Sequence, residues 1–226
     1  MRLRPGGARG TVPLMRRWFS SDPHFGHANI IRFCDRPFDD VDHMASVLVD
    51  TINAAVPAGD ELWLLGDLGL GPIERSLGVL RRIAADVVLV GGNHDRFHPY
   101  NGSKADGWSE RYLELTGAVR IEPLSSTLTL TDSTTVTVCH FPYADPVPHP
   151  RTLRSGKVVA NDKFAEWWPS DDGGWLVCGH VHRAWRQHGR QINVGVDAWA
   201  GRPVPEETLV ELIAAGPAHR SVLPWS

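Results

Sequence analysis

Short apolar runs alternate with amphipathic segments through most of the chain. Between residues 41 and 55, apolar side chains recur at spacings of three and four, which predicts a helix capped by Asp39 or Asp40. Pro72 opens a second predicted helix that extends to about Ala85. The other apolar runs predict strands at Arg16–Ser21, Glu61–Leu65, Val87–Val90, Thr127–Leu130, Thr135–Cys139, Trp175–Cys178, Gln191–Val194 and Thr208–Ile213. This interleaving predicts an α/β domain in which helices cover a sheet.

Two segments lack this pattern. Residues 1–14 are rich in glycine and proline and have no periodicity, which predicts a disordered leader before a single domain at 15–226, with Met15 as an alternative start. Residues 143–172 are irregular and follow a proline-rich start, which predicts a long loop with one short helix near Asn161–Trp168. Long loops in compact domains are often functional, so we expect this one to lie near the active site.

Composition narrows the class of protein. Hydrophobic residues make up 42% and charged residues 22% of the 226 residues, which is typical of a globular chain. The net charge of -3 argues against a broad basic surface for duplex nucleic acid. No apolar run approaches the roughly 20 residues of a membrane span, and the N-terminus lacks the apolar stretch of a signal peptide. Three cysteines indicate no disulfide framework, so we expect a cytoplasmic protein that does not contact membranes.

Five predicted strands end at residues that bind metals. The clusters are Asp22-Pro23-His24, Gly66-Asp67, Gly92-Asn93-His94-Asp95, Cys139-His140 and Gly179-His180-Val181-His182. Residues two apart in an extended segment point to the same side, so an Asp-x-His or His-x-His pair converges on one ion or on a close pair of ions. Each cluster alone is also common in structural turns. Together they indicate a site for borderline divalent ions such as Mn, Fe, Co, Ni or Zn.

The order of these clusters resembles the calcineurin-like metallophosphoesterases, whose five blocks are D-x-H, G-D, G-N-H-[DE], H and G-H-x-H. The match runs from Phe19 to about Asp197, and no block departs from the pattern. The opening SDPHFGHANII, followed by RPF, also resembles a subgroup of small bacterial and phage phosphoesterases. The resemblance implies a fold of two mixed β-sheets packed face to face and flanked by helices, with the active site at the strand ends.

By position, the resemblance implies two divalent ions, with manganese as the first choice. The implied ligands are Asp22, His24 and His182 for the first ion, Asn93, His140 and His180 for the second, and Asp67 as a bridge between them. His94 resembles the family histidine that contacts the phosphoryl oxygens or protonates the leaving group. Asp95 would orient that imidazole.

Several further positions leave two interpretations open. His27 contacts the substrate or the ligands, or it is a turn residue. Seven cations in or beside the motif loops meet phosphate or remain solvated, namely Arg32, Arg36, Arg96, Arg151, Arg154, Lys157 and Arg183. Three tryptophans, Trp167, Trp168 and Trp185, belong to the core or stack on a nucleobase. We interpret Cys139 and Cys178 as small core residues.

The leading hypothesis is a dinuclear phosphodiesterase that acts on a small phosphoester, such as a cyclic nucleotide, through a metal-bridging hydroxide. Two dications bring a charge of +4 and two carboxylates, Asp22 and Asp67, return only −2, so the site attracts an anion. One alternative is a nuclease for single-stranded DNA or RNA, which the net charge of -3 does not favour. Further alternatives are a phosphomonoesterase and a non-catalytic scaffold. The sequence makes no prediction of the oligomeric state.

Overall fold

Two β-sheets carry most of the secondary structure in this computed structural model, which describes residues 15–144, 151–152, 158–159, 163–182, 185–223 and 225. The predicted leader at 1–14 and the middle of the predicted loop at 143–172 lie outside the described residues, apart from the backbone of two short strands. No described helix combines the length and the apolarity that a membrane crossing requires.

The first sheet is largely parallel. Its strands, in the order in which they lie side by side, are β12 (Val204–Pro205), β1 (Arg17–Ser20), β2 (Glu61–Leu65), β3 (Asp86–Val90) and β4 (Arg120–Ile121). β1 to β4 run parallel to one another, and β12 pairs antiparallel with β1. Every residue of β2 is buried, as expected of a strand that is covered on both faces.

The second sheet is mixed. Its strands lie in the order β13 (Ala218–Ser221), β10 (Trp185–Gly189), β11 (Gln191–Asn193), β9 (Trp175–Cys178), β6 (Thr135–Cys139) and β5 (Ser125–Thr129). β9 is parallel to both β6 and β11, whereas β5 and β6 form the predicted hairpin. Two short strands, β7 (Arg151–Thr152) and β8 (Val158–Val159), pair with each other and belong to neither sheet.

Five α-helices accompany the sheets. They are α1 (Ala28–Phe33), α2 (Val41–Ala55), α3 (Ile73–Gly78), α4 (Trp108–Thr116) and α5 (Glu206–Ala214). α2 begins as predicted, because the Asp40 carboxylate accepts hydrogen bonds from the amides of Asp42 and His43 at 2.9 and 2.8 Å. Short 3₁₀ segments span Val79–Arg82, Pro99–Ala105, Ala165–Trp167 and Val196–Ala198.

The two sheets pack face to face, which confirms the fold that the resemblance implies. Phe19 and Val88 of the first sheet share a buried cluster with Val138 and Ile192 of the second. The opposite face of the first sheet packs against α2 and its neighbouring helices. The outer face of the second sheet carries a third cluster, in which aromatic side chains from residues 164–168 cover β6 and β9.

Two predicted elements need correction. Thr208–Ile213, predicted as a strand, lies within α5, which starts after Pro205 and buries Leu209 between the sheets. A short apolar run fits a strand or a buried helix equally well by periodicity, and this one is helical. The helix predicted from Pro72 to Ala85 ends at Gly78 and continues as a 3₁₀ turn.

Candidate active site

Five strands end at one edge of the stacked sheets, and each leads into a loop with predicted site residues. β1, β2 and β3 lead to Asp22, Asp67 and Asn93, whereas β6 and β9 lead to His140 and His180. Because β1 to β3 are mutually parallel and β6 is parallel to β9, their carboxyl ends meet. The seven predicted ligands therefore come from both sheets.

Glycines let two of these loops touch through their backbones. A Cβ atom on Gly66 would lie 2.4 Å from the amide nitrogen of Gly92, and a Cβ on Gly92 would lie 2.4 Å from that of Asp67. Any side chain there would force the loops apart. The buried Asp95 carboxylate holds the same junction, since it accepts hydrogen bonds from the amides of Gly92, Asp67 and Leu68 at 2.8, 2.9 and 3.1 Å.

One donor set consists of Asp22, His24, Asp67 and His182. Their ligand atoms all lie within 4.8 Å of one another. The His24 Nε2 atom is 3.1 Å from the His182 Nε2 atom and 3.4 Å from Asp67 Oδ2, and His182 Nε2 is 3.7 Å from Asp22 Oδ1. These are the residues that the resemblance assigns to the first ion and to the bridge.

A second donor set lies beside the first. The His140 Nε2 atom is 3.1 Å from Asn93 Oδ1, 3.3 Å from His180 Nδ1 and 3.6 Å from Asp67 Oδ1. Asp67 therefore offers Oδ2 to the first set and Oδ1 to the second. This arrangement is what a carboxylate bridge between two ions requires, and it keeps the seven-ligand assignment as a well-placed prediction.

The chemistry of the donors fits divalent cations. Asp22 Oδ1 and His24 Nδ1 are buried and have no hydrogen-bond partner among the described residues. Burial and the nearby Asp22 charge raise the pKa of Asp67 well above its ordinary value. Buried carboxylates that face each other need a positive charge between them. Mixed imidazole, carboxylate and amide donors suit Mn, Fe, Co, Ni or Zn.

Five site residues adopt a left-handed backbone conformation. They are Asp22, His24, Asp67, His180 and His182, with φ between 46° and 70°. Such a conformation costs a non-glycine residue about 1–3 kcal/mol and occurs mostly at functional sites. The sharp turns direct side chains from the strand ends into the shared donor sets, so the strain is concentrated where the predicted ligands lie.

Backbone and carboxylate acceptors fix the tautomers of two histidines. His140 Nδ1 lies 2.6 Å from the carbonyl oxygen of Leu65, and His182 Nδ1 lies 2.9 Å from Asp197 Oδ2. A proton held on Nδ1 leaves Nε2 free to bind a metal, and the acceptor also fixes the plane of the ring. Both Nε2 atoms face the donor sets described above.

The sequence interpretation missed the residues that support His182. Asp197 accepts from the Nε and Nη2 atoms of Arg36 at 2.9 and 3.0 Å, and Arg36 also donates to the carbonyl oxygens of Asp22 and Pro23. Arg36 is buried, so it is neither a solvated charge nor a phosphate contact. Asp197 follows a predicted strand, which is the signal that identified the other loops.

These contacts also set the charge of His182. Burial lowers its pKa, but the hydrogen bond from Asp197 and the charge of Asp22 outweigh this effect and raise the pKa to about 10. A metal at Nε2 has to compete with a proton, so we expect metal binding to release protons near neutral pH.

Replacing Asp197 with asparagine should weaken metal binding without removing a predicted ligand. The amide loses the charge that holds the His182 Nδ1 proton and pairs with Arg36, so the imidazole is less well oriented. We expect the affinity for Mn²⁺, measured by titration of the metal-free protein, to fall roughly 10- to 100-fold, the usual loss for such partners.

An Asp60→Asn variant is the matched control. Asp60 is another buried carboxylate with hydrogen bonds, to the Arg16 amide and the Trp18 indole, but it lies at the opposite end of the first sheet. Its replacement should leave Mn²⁺ affinity unchanged. Equal losses in the two variants would mean that the effect of Asp197→Asn comes from general destabilisation.

His94 lies over the centre, and Asp95 does not orient it. The His94 side chain is 46% exposed, its Nε2 atom is 3.9 Å from Asp67 Oδ2, and its backbone amide donates to Asp67 Oδ1 at 2.9 Å. Burial and neighbouring histidines, with His140 the largest, lower the pKa of His94 to about 4. The role predicted for Asp95 is wrong, because backbone amides occupy both of its oxygens.

The two predicted substrate contacts have different surroundings. His27 precedes α1, and its ring centroid lies 5.4 Å from that of His24, beside the first donor set. Burial, followed by the charge of Arg36, lowers the pKa of His27. The Arg96 guanidinium instead lies over the Trp108 ring at 4.5 Å. A substrate role for either residue stays a prediction.

Comparisons with known proteins agree with this geometry. Residues 15–200 match the family of calcineurin-like phosphoesterases. The gene 66 proteins of the Mycobacterium phages L5 and D29 are 30% and 31% identical to the chain over 208 residues, which cover 87% of this chain and 93% and 94% of theirs. A protein of unknown function from Aquifex aeolicus shares the fold, with a TM-score of 0.61 and 19% identity over 88% of this chain and 99% of its own.

The chain belongs to the calcineurin-like phosphoesterases. It is a metal-dependent phosphoester hydrolase, and the family's dinuclear divalent centre corresponds to the two donor sets that share Asp67.

Proposed function

We propose that the protein hydrolyses phosphodiester bonds in small nucleotide-like substrates, with cyclic nucleotides as the first candidates, and that it acts in the cytoplasm with two manganese ions. Cys34, Cys139 and Cys178 are all unpaired, which suits a reducing compartment. When bound, two divalent ions supply an activated water and positive charge for the phosphoryl oxygens. The remaining chemistry depends on the side chains of the chain itself.

The observation that carries the nucleotide proposal is an aromatic wall beside the second donor set, formed by Phe141 and Trp168. Their ring centroids lie 5.0 and 5.8 Å from that of His180, and the two rings stack on each other with planes 25° apart. Phe141 is buried, whereas Trp168 is partly exposed. A partly exposed indole next to a phosphate-binding centre suits a base or another flat ring.

The proposed reaction assigns separate roles to charge and to proton transfer. Asp22 and Asp67 hold the cationic centre while leaving it with net positive charge, which favours a phosphate anion. His94 is near enough to Asp67 to reach a group held at the centre, and its exposure leaves its ring accessible to the substrate. It is therefore the candidate that stabilises phosphoryl charge or protonates the leaving oxygen.

A single-stranded nuclease is the second candidate, because the same wall would stack successive bases. The net charge of -3 supports the small substrate instead. Two cations near the strand ends already have partners, since Arg36 pairs with Asp197 and Arg186 lies 4.2 Å over the Trp199 ring. Binding to single strands should therefore show a shallow dependence on salt, and a steep one would favour the nuclease.

The test uses Mn²⁺-loaded protein and substrates with and without a ring. Trp168→Ala should lower kcat/KM for a cyclic nucleotide roughly 5- to 150-fold, the equivalent of ~1–3 kcal/mol of base stacking. A glycerol phosphodiester should lose much less, since it has no ring to stack. The measurement is a steady-state assay of both substrates.

A Trp168→Phe variant is the control, because it keeps a flat ring at the same place. It should retain most of the activity on the nucleotide. If Trp168→Ala affects both substrates equally, the wall has a structural role. If neither diester is hydrolysed and a monoester is, the diester proposal is wrong.

A further inference from the structure

His182 presents its two ring nitrogens to two different groups of donors. Its Nε2 edge faces His24 and Asp22 in the first donor set. Its Nδ1 edge faces Asp197. A third residue, Cys34, completes the group on this second edge, and the ligand atoms of Cys34, His182 and Asp197 all lie within 4.8 Å of one another.

The local fold explains why a cysteine lies there. α1 ends at Phe33, and Cys34 donates its amide to the Ile30 carbonyl as the last residue of the turn. Asp35 then takes a left-handed conformation, with φ of 48°, which returns the chain so that Arg36 reaches Asp197. Cys34 is partly exposed, whereas Cys139 and Cys178 are buried in the third cluster.

We propose that Cys34, His182 and Asp197 form a separate inhibitory site for a thiophilic divalent ion such as Zn²⁺ or Cd²⁺. Sulfur, imidazole nitrogen and carboxylate oxygen are all ligands of Zn²⁺, and the thiolate favours soft ions over Mn²⁺. Three protein donors leave one tetrahedral position for water. The partial exposure of Cys34 gives the ion a route from solvent.

Charge and protons balance on binding. The ion displaces one proton from the Cys34 thiol and one from His182 Nδ1, and both pass to solvent. The thiolate and the Asp197 carboxylate then offset the two positive charges. Asp197 Oδ2, which lies 3.0 Å from Arg36 Nη2, becomes shared with the ion.

Inhibition follows because the two groups of donors share one imidazole. An ion at Nδ1 withdraws electron density from the ring and loosens the contact that orients it, so Nε2 becomes a poorer donor to the first set. Excess Zn²⁺ or Cd²⁺ would therefore lower the activity of a Mn²⁺-loaded enzyme without occupying the catalytic positions.

The test has a spectroscopic part that needs no substrate. Co²⁺ bound by a thiolate absorbs in the near ultraviolet through charge transfer from sulfur, which a site of nitrogen and oxygen donors does not do. Adding Co²⁺ to the full-length, Mn²⁺-loaded protein should produce this band in the wild type and in Cys139→Ala, and Cys34→Ser should abolish it. Absence of the band in the wild type, or its survival in Cys34→Ser, overturns the site.

The kinetic part tests inhibition. Cys34→Ser should keep the activity measured without Cd²⁺ and should raise the half-inhibitory Cd²⁺ concentration at least about tenfold, the smaller loss usual for removing even an indirect metal partner. Equal inhibition of the two proteins overturns the inhibitory role. The absorption readout is independent of the substrate proposal, so a failure of either one is recognisable by itself.

Discussion

An Asp67→Asn variant is expected to lose bound metal and activity together. Asp67 offers Oδ2 to the first donor set and Oδ1 to the second, so one substitution damages both. An amide has a single weak donor oxygen and no charge, and the carboxylate of Asp22 then faces the ions alone. Because metal ions contribute several kcal/mol to such reactions, turnover should fall by at least roughly 10²–10³-fold. Metal analysis of the purified variant, beside steady-state kinetics, measures both losses.

The stability of the metal-free variant serves as its control. The raised pKa of Asp67 means that the folded metal-free protein gains stability from this group at low pH and loses it as the pH rises above 3.8, the ordinary pKa of the group. A neutral amide removes that cost. Metal-free Asp67→Asn should therefore unfold at the same temperature as the metal-free wild type or higher near neutral pH. Earlier unfolding would show that misfolding causes the loss of activity.

A His94→Ala variant is expected to keep two ions and still lose roughly 10²–10⁴-fold in turnover, the usual contribution of a positioned acid or base. The backbone amide that bonds Asp67 remains, and the predicted ligands are unchanged. The loss should be smaller for a nitrophenolate leaving group, which needs little protonation, than for a ribose alkoxide. Metal analysis and kinetics on both substrates provide the measurement.

The outcome also defines the role of His94. Its pKa of about 4 makes the imidazole neutral near pH 7 in the protein alone, so proton donation requires the substrate anion to raise that pKa. Equal losses on both leaving groups would show that His94 stabilises phosphoryl charge and donates no proton. Loss of metal from His94→Ala would contradict the ligand assignment.

The positions of the donor sets could be predicted from the sequence because they follow from strand geometry. A buried strand such as Glu61–Leu65 is recognisable from its apolar run, and the residue after its glycine must lie at the sheet edge. The stacking of two sheets came from the resemblance, since periodicity does not show which faces meet. The helical state of Thr208–Ile213 depends on where Leu209 packs, which is a tertiary property.

The supporting residues were harder to predict. Arg36 reaches Asp197 across 161 positions of sequence, and no local spacing reports such a contact. Asp95 adjoins His94 in the sequence, which suggested a carboxylate behind an imidazole. In the structure its oxygens point to the amides of the neighbouring glycine loop instead. Adjacent residues in a tight loop often face opposite ways, so sequence neighbours are poor guides to such pairs.

Each donor set takes residues from both sheets, and this division couples metal supply to the lifetime of the protein. Asp22 and His24 belong to one sheet and His182 to the other, so an ion bound among them acts as a cross-link between the two layers. A ligand that binds only the folded chain stabilises it in proportion to its free concentration. In a cell short of divalent metal, the two layers would separate more often and expose the shared apolar interior to proteases. Metal scarcity would then reduce the amount of enzyme as well as its rate.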